Sequence, residues 1–187
     1  MKKLGVVLSL TLVIVLLGGN VLAQNVGDKS VYFTTYYSNA RTAGAADETV
    51  RIINDGDTGG NLWASFYVFD DSQELQECCS CSITPDGILS ESVNNELLAN
   101  PLTGVVNHVG VIKVIGFNGS GAPTAGLHGT ATHAQKNGAA YVLTETPLAD
   151  SNLISSEQTM LQNLCSYALE LGSGHGSCSC TPEDYDF

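Results

Sequence analysis

Cysteine placement constrains this chain more than any other feature. Cys78, Cys79 and Cys81 cluster in the middle, while Cys165, Cys178 and Cys180 lie near the end. Whatever partners these sulfurs take, the C-terminal part must return to the middle of the chain. Six is an even number, and in an oxidising compartment it reads first as three disulfides. Spacing alone leaves fifteen pairings open. Alternate residues of a strand share a face, so Cys79 with Cys81, and Cys178 with Cys180, each present two neighbouring sulfurs while Cys78 points the other way. That pattern favours two facing C-x-C edges, with Cys78 left for Cys165. A thiolate metal site is the alternative, since four sulfurs suit a tetrahedral ion. Its spacing is poor, because the paired cysteines are separated by one residue, and the C-x-x-C of a redox pair is absent.

The compartment is set by the first 23 residues. Lys2 and Lys3 open a run that is almost wholly apolar from Leu4 to Leu17, Gly18-Gly19-Asn20 breaks it, and Val21-Leu22-Ala23 ends on a small residue. This is the order of a secretory signal peptide, with cleavage expected after Ala23. The run is shorter than the roughly 20 apolar residues of a membrane span. Gln24 rather than a cysteine follows the cut, which disfavours a lipid anchor, and no later segment is apolar enough to cross a bilayer. Residues 24–187 are then expected to form a single disulfide-stapled β domain with a short acidic tail, a length that supports a sizeable core. All 19 acidic residues follow the cut but only five of the seven basic ones do, so the mature chain carries a formal charge of −14. A surface so acidic repels nucleic acid and anionic membranes.

The hydrophobic pattern is that of short strands. Ser30 to Tyr37 is dense in aromatic and β-branched residues, and Thr49 to Asn54 alternates. Leu62 to Phe69 is apolar on both faces, which predicts a central strand covered on both sides. Between the last two lies Asp55 to Gly60, a glycine-rich turn that predicts a hairpin. Further strands are expected at Cys79 to Thr84, Ile88 to Val93, Val105 to Phe117 as one strand with a bulge at Gly110 or as two short ones, and a hairpin of Leu127 to Ala134 with Ala140 to Thr144. One helix is legible near the end. Ser155 and Gln158 have the capping-box spacing, and Leu161, Leu164, Cys165, Ala168 and Leu169 form a stripe that Gly172 closes. The expected fold is mainly β: an antiparallel β-sandwich, jelly-roll-like, with one C-terminal α-helix.

Candidate sites are few. Asp55, Asp57 and Asn61 place oxygen ligands at alternate positions of the DGDTGGN turn, a weak calcium pattern that lacks the glutamate of an EF-hand. His128 and His133 differ by an odd number and fall on opposite strand faces, so they do not chelate one ion together, and His108 and His175 stand apart. Asp70 with Asp71, and Glu74 with Glu77, are paired carboxylates of the kind glycoside hydrolysis uses. Gly116 to Gly121 and Gly172 to Gly176 are only near misses to a nucleophile elbow, and Asn118-Gly119-Ser120 is a formal glycosylation acceptor that reads as a turn. No coherent catalytic set and no cofactor motif emerge.

At Tyr67-Val68-Phe69-Asp70, Gln73 to Cys81 (QELQECCSC), Thr84-Pro85 with Gly87, and Asn100 to Gly104 (NPLTG), the chain resembles a group of short exported bacterial proteins of uncharacterised function. The Leu164-Cys165 pair and the link Gly172 to Cys180 fit the same group. The resemblance implies an exported, cysteine-stapled domain and transfers no catalytic residue.

The expected function is that of a secreted non-enzymatic structural or binding module, at the cell surface, in a matrix or along a filament. It would partner itself, an extracellular protein or a glycan. The rivals are an exported metal-binding protein using the cysteines or the DGDTGGN turn, and a carbohydrate-binding or carbohydrate-active sandwich using Trp63 or Tyr36-Tyr37 as a stacking platform. Against the last, Trp63 sits in an apolar run and reads as core.

Overall fold

The computed structural model describes residues 30–172 together with Gly174 and Cys178; the leader, His175, Cys180 and the acidic tail lie outside them. Nine strands and a helix follow in order: β1 (Tyr32–Tyr37), β2 (Thr49–Asn54), β3 (Leu62–Asp70), β4 (Leu75–Ile83), β5 (Ile88–Ser92), β6 (Gly110–Phe117), β7 (Leu127–Asn137), β8 (Ala140–Pro147), β9 (Ala149–Asp150) and α1 (Ser155–Leu171). All strand pairs are antiparallel. They build a five-stranded sheet, β4-β3-β6-β1-β9, and a four-stranded sheet, β5-β2-β7-β8. The fold is thus an antiparallel β-sandwich with one C-terminal helix.

Alternation decides which side chains fill it. Phe66 and Val68 of β3, Ile112 and Val114 of β6 and Phe33 of β1 meet Val50, Ile52, Leu89, Leu127 and Ala131 of the other sheet. The opposite face of the five-stranded sheet carries Tyr67, Phe69, Tyr32, Ile115 and Phe117, and Leu161 and Ala168 of α1 cover it. β3 is therefore buried on both faces, as its unbroken apolar run requires.

Several local expectations change. β2 and β3 form no hairpin. Both edges of β2 are taken, by β5 and β7, so Asp55–Gly60 carries the chain from one sheet to the other. β4 begins at Leu75, well before Cys79, although Gln76 and Glu77 look polar enough to end a strand. Both are buried because neighbours satisfy them: Gln76 donates to Asp70 at 2.8 Å and accepts from Thr103 Oγ1 at 2.8 Å, and Glu77 accepts from the Asn100 amide at 3.2 Å. Gly110 starts β6 without a bulge and is needed for a close approach instead. A Cβ there would lie 1.9 Å from the Phe69 carbonyl oxygen and 2.5 Å from the Tyr37 hydroxyl. The connection after β5 opens with a short π-helical turn, Val93–Leu97.

Ser155 is already helical, and Ile154 occupies the cap position with no side-chain hydrogen bond, so the capping box does not form. Gly172 closes the helix in the left-handed conformation at φ 75°. No helix among the described residues is long and apolar enough to cross a membrane.

Candidate functional site

The alternation that fills the core also shapes an outward groove. On β3 the outward positions are Trp63, Ser65 and Tyr67, and across β4 they face Ser82, Ser80 and Cys78. Cys79 and Cys81 alternate with Ser80 and Ser82, so the inward sulfurs leave two hydroxyls on the outside. Ser65 Oγ donates to Ser80 Oγ at 2.9 Å, and Asn61 Nδ2 donates to Ser82 Oγ at 3.3 Å. Small residues leave this part of the sheet uncovered, while the larger ones beside it hold α1.

Two bridges fix the wall of the groove. Cys78 is bonded to Cys165 of α1 and Cys79 to Cys178, each pair with Cα atoms 5.7 Å apart. Cys81 is a half-cystine too, and the expected partner, Cys180, lies outside the described residues. Beyond the helix, Gly174 accepts from the Cys78 amide at 2.8 Å and Leu102 donates to the Gln76 carbonyl at 2.7 Å, covering the edge of β4. The first turn of α1 is tied down separately. Lys113 Nζ lies 2.5 Å from Glu157 Oε1, the Tyr32 hydroxyl donates to the same oxygen at 2.9 Å, and Lys113 sits 5.0 Å over the Phe69 ring. The hydrogen bond from Lys113, helped by that from Tyr32, holds the Glu157 carboxyl below the usual carboxylate range against the opposing effect of burial.

Between these supports runs a trough of two adjoining cavities. One, of about 470 Å³, reaches from Trp63 to Gln162 of α1 and the Asn118–Gly121 turn. The other, of about 330 Å³, continues past Tyr67 to Leu169 and the bridges. Both include Ser65, Tyr67 and Ser80, and among the described residues neither is lined by a charged one. Trp63 is half-buried. Gly119 approaches its indole, and a Cβ there would lie 3.5 Å from Cζ3. Burial pushes the Tyr67 phenol up to about 12, so it stays protonated and neutral. Asn118 is held by its own turn, its Oδ1 accepting from the Ser120 amide at 3.0 Å, Ser120 Oγ at 2.7 Å and the Ala122 amide at 3.1 Å.

The residues singled out by sequence are not brought together elsewhere. Asp55 Oδ1 accepts from the Asp57 amide at 2.9 Å and Oδ2 lies 3.1 Å from His128 Nε2, while the Asn61 side chain turns to Ser82. The Asp55 carboxylate thus serves the turn and its neighbour His128. Cys81, Glu91 and Cys178 place a sulfur, a carboxylate oxygen and a sulfur within 4.8 Å of one another. Both sulfurs belong to disulfides and offer no thiolate. Asp70 is buried, accepting from the Glu74 amide at 2.9 Å and from Gln76, and Glu77 is buried beside Asn100, whereas Asp71 and Glu74 are exposed in the β3–β4 turn.

The three described histidines stand apart, and His128 and His133 do fall on opposite faces. His133 is fully buried, stacked on the Tyr36 ring at 4.0 Å between centroids, with Nε2 2.8 Å from Thr146 Oγ1. Burial lowers its pKa. His108 Nδ1 lies 2.7 Å from the Ala40 carbonyl oxygen. Tyr36 is exposed but stacks one face on His133, while Tyr37 is buried, so the two tyrosines do not form a paired platform. Trp63, read as core from its apolar run, proves to line the groove. The signal that separates it from the core is the parity of Trp63, Ser65 and Tyr67 against Leu62, Ala64, Phe66 and Val68.

No protein-family profile matches the chain, and no curated protein matches its sequence. Among solved structures, the crystal structure of Thermotoga maritima 1070 is similar at a TM-score of 0.44 and 14% identity, over 67% of this chain and 96% of that one.

Proposed function

We propose that this chain is an exported, non-enzymatic binding module whose ligand site is the trough on the outer face of the five-stranded sheet. The observation that carries the reading is the make-up of that trough: aromatic and hydroxyl side chains on paired strands, uncharged among the described residues, walled by a helix bridged to the same strands. Such a site is concave, half apolar and built in advance, which is what binding a small ligand or a chain of one requires. Export accords with the leader-like first residues and with bridged cysteines, which persist in oxidising compartments. Of the paired carboxylates that sequence singled out, Asp70 and Glu77 are occupied by Glu74, Gln76 and Asn100, which splits each pair.

The chain has a single tryptophan, so the emission of Trp63 reports on the trough directly. A screen of small neutral fragments by amide NMR, on residues 24–187 with bridges intact, is expected to shift Ser65, Ser80 and Gly119 and to change Trp63 emission. Gly119→Leu should abolish both responses at an unchanged melting temperature, because the position is exposed and its Cβ meets only the indole at ordinary contact distance. Fragments that gather elsewhere, or bind the trough equally well in Gly119→Leu, would sink the reading.

A further inference from the structure

We infer that the trough takes an uncharged carbohydrate chain lying along β3, an inference that rests on the trough being the ligand site. Charge gives the first argument. Among the described residues the trough is lined by no carboxylate and no cation, as is the hollow along the first turns of α1, whereas Asp150 lines another hollow and Asp70 with Lys113 a further one. An anionic ligand finds no cation in the lining and a metal ion finds no carboxylate, so the partner that the trough matches is neutral.

The kind of polarity gives the second argument. A pyranose ring has an apolar C–H face and a rim of hydroxyls that both donate and accept. The trough offers the counterparts: Trp63 as the half-exposed ring beside the buried Tyr67, Ser65 and Ser80 as hydroxyls that donate or accept, and the amides of Asn118 and Gln162. Asn118 Oδ1 is committed to its turn, so Nδ2 is left to donate to a ligand. The turn also sets its direction, which lowers the ordering cost of binding.

Extent gives the third. Trp63 and Tyr67 are four residues apart on one strand, about 13 Å at the usual rise, and the two cavities adjoin, sharing Ser65, Tyr67 and Ser80 in their linings. Two adjoining cavities of about 470 and 330 Å³ along one strand suit a segment of a chain better than a monosaccharide. A peptide strand is the poorer match. It would need an unpaired sheet edge, whereas β3 is paired on both sides by β4 and β6 and the edge of β4 is covered by Leu102 and Gly174.

The test titrates residues 24–187, bridges intact, with neutral gluco-, manno- and xylo-oligosaccharides of increasing length and with an acidic oligogalacturonide, reading Trp63 emission and calorimetric heat. At least one neutral series should bind, tighten as the chain lengthens to the span of the trough, and then level off. Gly119→Leu should weaken it on the order of tenfold or more. Ser80→Asp, which places a carboxylate on an exposed position of the trough, should leave the neutral series bound less tightly and the fold intact. If the acidic chain binds more tightly than every neutral one, or if binding survives Gly119→Leu, the inference is overturned. When neutral fragments occupy the trough but no oligosaccharide does, the ligand class is wrong and the site stands. If neither engages it, both fall.

Discussion

Gly110 shows how little room the interior leaves at one residue. The Tyr37 ring lies across it and donates its hydroxyl to the Phe69 carbonyl at 3.2 Å, so three strands meet over a missing side chain. Gly110→Ala sets a methyl group against a backbone oxygen that cannot move without breaking the pairing of Asp70 with Gly110. The expected cost is about 3 kcal/mol or more, read as a drop in the urea midpoint. A loss below about 1 kcal/mol would mean that Tyr37 swings aside, which its complete burial argues against.

The element that most shapes the trough is α1, and its attachment is partly electrostatic. Glu157 receives Lys113 and Tyr32 at once, and its folded pKa lies below its unfolded value. In the window between the two values the unfolded chain binds more protons, so stability rises with pH through that window. The contribution is complete above the ordinary carboxylate pKa and is lost as pH falls through the lower folded value. Glu157→Gln should therefore cost about 1 kcal/mol at neutral pH and progressively less toward acid, where the wild type loses the same interaction. Thermal melts of both proteins across acidic and neutral pH check this; curves that stay parallel would show that the ion pair does not hold the helix. The exposed side of α1, with Tyr167 and Leu171 outward, adds nothing to that attachment.

At the scale of the whole molecule the bridges do what the packing alone leaves open. Cys78–Cys165 spans 87 residues and Cys79–Cys178 spans 99, so both constrain the unfolded chain strongly. Replacing Cys78 and Cys165 together by alanine should lower stability by up to about 4–5 kcal/mol on the loop-entropy estimate, measured by urea unfolding. The same variant should loosen the wall of the trough, seen as a red shift of Trp63 emission in the folded protein. Unchanged emission together with unchanged stability would mean that Leu161 and Ala168 hold α1 by packing alone.

The two-faced apolar run of β3, the alternation in β2, the helical stripe ended by Gly172 and the return of the C-terminal cysteines to the middle of the chain are all local or pairwise patterns. The sequence by itself determined those, because side-chain period and residue chemistry are fixed before any strand finds its neighbours. Legibility failed wherever the answer depended on a distant partner. Gln76 and Glu77 look like the end of a strand until Thr103 and Asn100 satisfy them, and Gly110 looks like a bulge until Tyr37 lies over it. Asp55–Gly60 looks like a hairpin turn until β5 and β7 take both edges of β2. The trough belongs to the same class. Trp63 is apolar in an apolar run, and only the placement of α1, set by a bridge 87 residues long, leaves it beside open space rather than beneath the helix.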